Sequence, residues 1–219
     1  MKHASPLDLY LQQMQEIKRR TEVIDYFLLA GGHALYKPTT VESICLQIRQ
    51  VLELIAFASL CANKAAYSAV HKDFASHWNA ELLLRDIARL NPDFCPAPKI
   101  ERPSPTPGIK NHLEDLKEGF LTKEDFITAY KKCGAMMHAR NPYGSKTGHH
   151  YFEKAIPVWR EKIVKLLNIH SVKVLGHPGF WLIHMHETRD NEVHGYVFVP
   201  HDAQPCNAPD LAHKAAQGR

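Results

Sequence analysis

Histidine is the residue with the widest chemical range in this sequence, which holds fifteen histidines in 219 residues. Four of them lie near the C-terminus, at His184, His186, His194 and His201. Alternation along a strand would place His184 and His186 on one face, and two imidazoles on one strand suit a transition metal. A third ligand is needed for a metal site, so the pairing of this strand with its neighbour decides the chemistry.

The expected pairing separates the third histidine from the first two. If a two-residue turn at 190–191 joins two strands, His184 lies opposite Val197. His194 then falls on the other face, which carries the apolar side chains, away from His184 and His186. The pattern therefore predicts a solvated strand face that bears histidines. Metal binding through these histidines stays as an alternative interpretation.

A second cluster combines a guanidinium with imidazoles. His138 and Arg140 lie two residues apart at the end of a predicted helix, Asn141 follows, and Lys146 and His149 come after a Pro- and Gly-containing turn. The planar fork of arginine suits a phosphate, and imidazole titrates near neutral pH, so this set could hold and cleave a phosphodiester. The dipole at a helix C-terminus also favours cations, so capping explains the same residues.

A third cluster lies on one stripe of the predicted second helix, at Glu42, Arg49 and Glu53. The four-residue spacing of Arg49 and Glu53 predicts an ion pair. If the helix is central, the pair is partly buried and needs further partners; a stripe that faces solvent is the other interpretation. The sequence has no Gly-rich phosphate loop, nucleophile elbow or H-E-x-x-H motif, so no cofactor is predicted.

The elements that carry these clusters are mostly helical. Helix-start signals occur at Ser5-Pro6 and at Thr122, and apolar residues recur at three- or four-residue steps after each. Near the C-terminus the period changes to two, which predicts a β-hairpin. The predicted fold class is therefore mainly α, a helical bundle with a small C-terminal β-hairpin.

The domain organisation follows from the same patterns. Residues 92–108 hold six of the fourteen prolines and read as an extended strap. We predict a helical core over 5–170 that includes this strap, a hairpin unit over 171–201 packed on the core, and a poorly ordered tail over 202–219.

The composition is that of an ordinary globular protein, with 45% hydrophobic and 23% charged residues and a net charge of +4. Lys and Arg are interspersed with acids, as around Glu153 and Glu161, which is typical of a mixed solvated surface. The five cysteines form no C-x-x-C pair. The most apolar stretch, 51–62, is too short to span a bilayer. These features predict a cytoplasmic protein with no membrane contact.

The helical core, with a basic and histidine-bearing segment just before its last long helix, resembles the HEPN superfamily. These are small helical bundles of bacterial toxins, phage-defence proteins and stress proteins. Catalytic members share an Arg-polar pair followed by a His, and they cleave RNA without a metal, usually across a homodimer. Here Arg140 and Asn141 match the pair, and His149 is the next histidine after eight intervening residues.

The resemblance covers residues 5–170. It implies that Arg140 holds the scissile phosphate and that His149 or His138 acts as acid or base. The sequence thus suggests a HEPN-like protein that binds or cleaves RNA, in bacterial defence or stress response and as a homodimer. The alternatives are a non-catalytic interaction module, whose hairpin offers an edge for strand addition, and the metal-binding protein described above.

Overall fold

A computed structural model of the chain describes residues 4–70, 79–139, 143 and 149–200, with the backbone alone at positions 70 and 149. Helices and strands alternate in blocks along these residues. In chain order the elements are α1 (Pro6–Leu29), α2 (Lys37–Val70), α3 (Ala80–Leu90), β1 (Ala97–Pro103), β2 (Asn111–Asp115), α4 (Lys123–Ala135), α5 (His149–Leu167), β3 (Ile169–Lys173), β4 (Phe180–His184) and β5 (His194–Phe198).

The capping boxes at Ser5 and Thr122 are confirmed, whereas Thr39, whose spacing to Glu42 also fits a capping box, lies inside α2, which begins at Lys37. The Ser5 hydroxyl accepts a hydrogen bond from the Asp8 backbone N–H, and the Asp8 carboxylate accepts one from the Ser5 N–H. Thr122 and Asp125 form the same reciprocal pair at the start of α4. Each box satisfies two N–H groups that a bare helix start would leave without partners. These caps set where α1 and α4 begin.

The long helix α2 is the centre of the helical layer, and it packs against α1, α3, α4 and α5. It extends to Val70, eight residues beyond the end of the most apolar stretch at 51–62. By length and composition α2 could also cross a membrane, although half of its most apolar stretch is buried within the chain. A core helix of a globular protein has the same apolar character. The cytoplasmic location therefore stays a prediction.

The predicted fold class, a mainly α-helical bundle with a small C-terminal β-hairpin, is wrong. The described residues form five helices and a five-stranded antiparallel sheet in the order β2-β1-β3-β4-β5. Strands β4 and β5 are the predicted hairpin, and β3 pairs with β4. The two additional strands come from segments that the sequence pattern assigned to the strap and to a short helix at 113–118.

Strand β1 is the proline-rich segment, and the positions of its prolines explain how it joins a sheet. The Pro98 carbonyl accepts a hydrogen bond from the Leu116 N–H, so the backbone of Pro98 faces β2 just beyond the last paired residue, Asp115. Pro103 faces the other side, where β1 no longer pairs with β3. Each missing N–H therefore falls where the ladder has already ended.

One face of the sheet packs against the helices. His170, Val172, Trp181 and Ile183 are buried on that face. Tyr10 of α1 packs its ring edge-on against Trp181, with ring centroids 5.9 Å apart. The proposed units 5–170 and 171–201 both contribute to this sheet, and β3 runs across the boundary between them. The domain division stays a prediction.

Candidate functional site

The structure describes only part of the predicted Arg140 site. Arg140, Asn141 and Lys146 lie outside the described residues, and of His149 only the backbone is described, at the first residue of α5. His138 follows the end of α4, and its side chain is exposed. The meeting of Arg140 with an imidazole therefore stays a prediction.

The flanks of this segment are described, and they lie against each other. The ammonium of Lys132, near the end of α4, lies 5.2 Å from the ring centroid of Tyr151 in α5, a cation–π distance. Lys37, at the start of α2, pairs with Glu153, and His150 Nδ1 lies 3.2 Å from the same carboxylate. These two partners hold the pKa of Glu153 below its usual range. Three helices thus bring cations to one place.

We call residues 131–154 the basic junction, because this stretch carries the excess positive charge of the chain. It contains five Lys or Arg and a single acid, Glu153. Its net charge of +4 therefore equals that of the whole chain. Three histidines lie in the same stretch: His138, His149 and His150. Two tyrosines accompany them, and Tyr143 is 96% exposed and Tyr151 40% exposed. The first turn of α5 contains no acid.

Arg49 and Glu53 form the ion pair that their spacing predicts, and the structure adds a third member. Arg49 Nε lies 3.2 Å from Glu53 Oε1, and Arg49 Nη2 donates to the Tyr130 hydroxyl at 2.8 Å. The guanidinium also stacks 4.1 Å from the centroid of the Tyr130 ring. Burial raises the pKa of the Tyr130 phenol. The pair is therefore half-buried and partnered, and not a solvent-facing stripe.

The same cluster reaches towards the basic junction through Gly134. A Cβ atom at Gly134 would lie 2.3 Å from Arg49 Nη1, so glycine gives the guanidinium room against the last turn of α4. Glu42 takes no part, since it forms no ion pair with any described residue. The sequence gives no sign of the contact between Arg49 and Tyr130, because the two residues lie 81 positions apart. A ligand-binding role for Glu42, Arg49 and Glu53 stays a prediction.

The outer face of the sheet carries a second polar cluster around His184. Its Nδ1 lies 3.1 Å from Glu187 Oε1, and its Nε2 lies 3.4 Å from Glu101 Oε1. The Tyr196 hydroxyl donates to Glu187 at 2.8 Å and is the main cause that holds the pKa of Glu187 below its usual range. The imidazole is thus held between two carboxylates.

The predicted hairpin register is wrong. His184 pairs with His194, and not with Val197, because the connection between β4 and β5 is longer than the two-residue turn expected at 190–191. His194 binds Asp190, with Nε2 at 3.0 Å from the carboxylate. Within the described part of the chain, no group of three or more His, Cys, Asp or Glu side chains is placed to hold a metal ion. His201 lies outside it.

Comparison with known proteins does not assign the chain to a family. No family model, curated protein or solved structure matches it. The resemblance to the HEPN superfamily is therefore untested and stays a prediction. Among the described residues, the basic junction brings Lys132 to the ring of Tyr151, and Lys37 and His150 to the carboxylate of Glu153.

Proposed function

We propose that the protein binds single-stranded RNA at the basic junction. The observation that carries this proposal is the concentration of five Lys or Arg residues beside a single Glu in 24 residues, whose described flanks join α4 to α5 and α5 to the start of α2. The rest of the chain holds equal numbers of both signs, 22 Lys or Arg (27 − 5) and 22 Asp or Glu (23 − 1). A local excess of positive charge attracts a phosphate backbone, because binding releases the counterions that surround it.

Aromatic rings favour a single strand over a duplex. Tyr143 and Tyr151 are exposed and belong to the basic junction. Unpaired bases stack on such rings without a strong sequence preference. The start of α5 adds to the attraction, because the unpaired N–H groups of a helix N-terminus favour an anion and no acid in its first turn opposes this. The positive charge, the stacking rings and the N-terminus of α5 therefore all favour binding of single-stranded RNA.

The histidines bear on whether bound RNA is also cut. Cleavage without a metal needs an acid or base near neutral pH beside a cation that holds the phosphate. His138, His149 and Arg140 have the right chemistry, but the proposal requires binding only. RNA left intact by the protein is consistent with the proposal, and RNA cut at the junction would extend it.

The test is fluorescence anisotropy of a labelled, unstructured RNA with wild-type protein and with Lys132→Ala/Arg140→Ala/Lys146→Ala. We expect the triple variant to bind at least about tenfold more weakly and to have a log–log salt slope smaller by about 2, since each lost phosphate contact on a single strand removes about 0.7.

The matched control removes three cations from the β1–β2 hairpin, with Arg102→Ala/Lys110→Ala/Lys117→Ala. These cations belong to the β1–β2 region, which precedes α4 in the chain and shares no residue with the basic junction. The control has the same change in net charge and should keep most of the RNA affinity. Equal losses in the two triple variants would mean that net charge alone drives binding, and the proposal would fail.

A second candidate function, self-association, is favoured by the outer edge of the sheet. β5 is an edge strand, and its exposed side chains are apolar on both faces: Val197 is 52% exposed on one face and Phe198 43% exposed on the other. An exposed edge of this kind pairs readily with another strand, and natural proteins usually protect it. Antiparallel pairing of two β5 strands would join two sheets across a two-fold axis.

Sedimentation equilibrium distinguishes this candidate. We expect a dimer for the wild type and a monomer for Val197→Lys, because a charge on the edge strand opposes pairing. The substitution replaces a half-exposed side chain, so the monomer should keep its fold and its circular dichroism spectrum. A wild type that stays monomeric up to high micromolar concentration would rule out self-association through β5.

A further inference from the structure

A cavity lies at the opposite end of α4 from the basic junction. Its volume is about 540 Å³, and helices α2, α3, α4 and α5 contribute to its walls together with the segments before β1 and α4. The walls are almost entirely hydrocarbon and include Ile55, Leu84, Phe94, Phe120, Phe126 and Leu166. Pockets for small molecules fall in the range of about 300–1,000 Å³ and are lined mainly by such side chains.

The charges around the cavity are paired, with one exception. Glu81, which lines it, binds Lys131 at 2.9 Å, and Arg85 Nε lies 3.2 Å from Asp86. Among the residues that the structure describes, no carboxylate pairs with Lys123. A single ammonium is therefore available at the entrance to an apolar space.

The nearby acids form their ion pairs with other lysines, and Lys123 acts on Asp93 only as a minor cause, after Lys173, of its lowered pKa. Asp93 binds Lys173 at 2.8 Å, and Asp125 binds Lys162 at 2.7 Å. Lys123 is held over the ring of Phe94, with the ammonium 5.0 Å from the centroid, and Phe94 is itself part of the cavity wall. Lys123 lines the cavity as well, so this cation–π contact holds its ammonium beside the apolar wall.

We propose that this cavity binds a free aliphatic monocarboxylate, whose chain fills the apolar space while its carboxylate pairs with Lys123. Burial of the chain supplies the affinity, and the ammonium selects an anionic head group over a neutral or cationic one. The inference does not depend on RNA binding, since none of the residues involved belongs to the basic junction except Lys131, which is paired with Glu81.

Isothermal titration calorimetry of the full chain with octanoate, octanol and octylamine tests the head group. We expect the affinity to fall in that order. Lys123→Met keeps the length of the side chain but removes its charge, so it should weaken octanoate binding about tenfold, as the loss of one charge-assisted contact predicts. Octanol binding should change by less than about twofold. Lys132→Met, on the same helix but in the basic junction, is the matched control and should bind octanoate like the wild type.

A second pair of variants tests the location. Ala88→Phe places a ring in the cavity wall and should abolish binding of octanoate and octanol together. Ile127→Trp adds bulk to the cavity wall at a partly exposed position. It replaces Ala88→Phe in this test if Ala88→Phe lowers the melting temperature, and it should weaken the binding of both ligands. Octanoate that fails to bind at millimolar concentration, octylamine that binds as tightly as octanoate, or a filled cavity that binds like the wild type would each overturn the proposal.

Discussion

His170 is the most deeply buried titratable side chain in the sheet, and both of its ring nitrogens are committed. Nδ1 donates to the Leu167 carbonyl oxygen at 2.7 Å, so Nε2 is the acceptor for the Tyr10 hydroxyl at 2.8 Å. Burial is the main cause that lowers the pKa of His170 to about 4. The neutral ring therefore joins α1 to the sheet, and protonation of the ring in this buried site is disfavoured.

The lowered pKa predicts how stability depends on pH. An unfolded chain protonates His170 below its ordinary pKa of about 6.5, whereas the folded chain resists protonation down to about 4. The unfolded state thus binds more protons between these values, so the free energy of unfolding should fall as pH drops from 6.5 to 4. The loss from this group is on the order of 3 kcal/mol. Urea unfolding at several pH values measures it.

His170→Gln should be less stable than the wild type at pH 7 but should lose much less stability on acidification. His138→Gln, at an exposed position, is the matched control and should keep the wild-type pH dependence. A His170→Gln variant whose stability falls with pH as steeply as that of the wild type would show that other groups cause the acid sensitivity.

The helix starts could be predicted from sequence, whereas two strands could not. Ser5 and Thr122 act through groups three residues away, so the signal lies within one turn and reads directly from the chain. β1 contains Pro98 and Pro103, which normally argue against an inner strand. They fit here only because each missing N–H lies beyond the end of a neighbouring ladder. Whether β1 can be an inner strand thus depends on where the neighbouring strands β2 and β3 end. The sequence of β1 alone does not contain this information.

Gly195 determines how closely α1 approaches β5. A Cβ atom at this position would lie 2.9 Å from Leu11 Cδ2 and 3.2 Å from Leu7 Cδ1. Gly195→Val adds two further carbons to this contact, so it should destabilise the protein by about 1–3 kcal/mol. Chemical denaturation measures the change.

A double variant shows whether the cause is this contact. Leu11→Ala should cost less stability in the Gly195→Val background than in the wild type, because the smaller side chain makes room for valine. Strictly additive losses would contradict a direct contact between the two positions and would point to a change in β5 alone.

The sheet as a whole explains why sequence patterns predicted a bundle. Its five strands come from residues 97–115 and 169–198, and α4 and α5 lie between these segments in the chain. Such non-local pairing leaves no local signal beyond alternation, and β2 is too polar to show one. Arg140 and its histidines stand out in the sequence by residue type, and their meeting in one site stays a prediction. The scarcity of acids over 131–154 is a separate signal, which lies in charge and not in any motif.

The three proposed sites lie in different parts of the molecule. The basic junction lies at the end of α4 and the apolar cavity near its start, and the exposed β5 edge belongs to the sheet. A change in one place should therefore leave the others nearly unaffected, because additivity holds for distant sites. Octanoate binding by the Lys132→Ala/Arg140→Ala/Lys146→Ala variant checks this independence.

The most direct test of RNA binding at the basic junction is to locate the contact. Thiouridine-substituted RNA can be cross-linked to the wild-type protein by ultraviolet light, and the modified peptides identified by mass spectrometry. The account predicts cross-links within residues 131–154, at Tyr143 or Tyr151 above all. Cross-links confined to the outer face of the sheet, around Phe180 and Phe198, would contradict it.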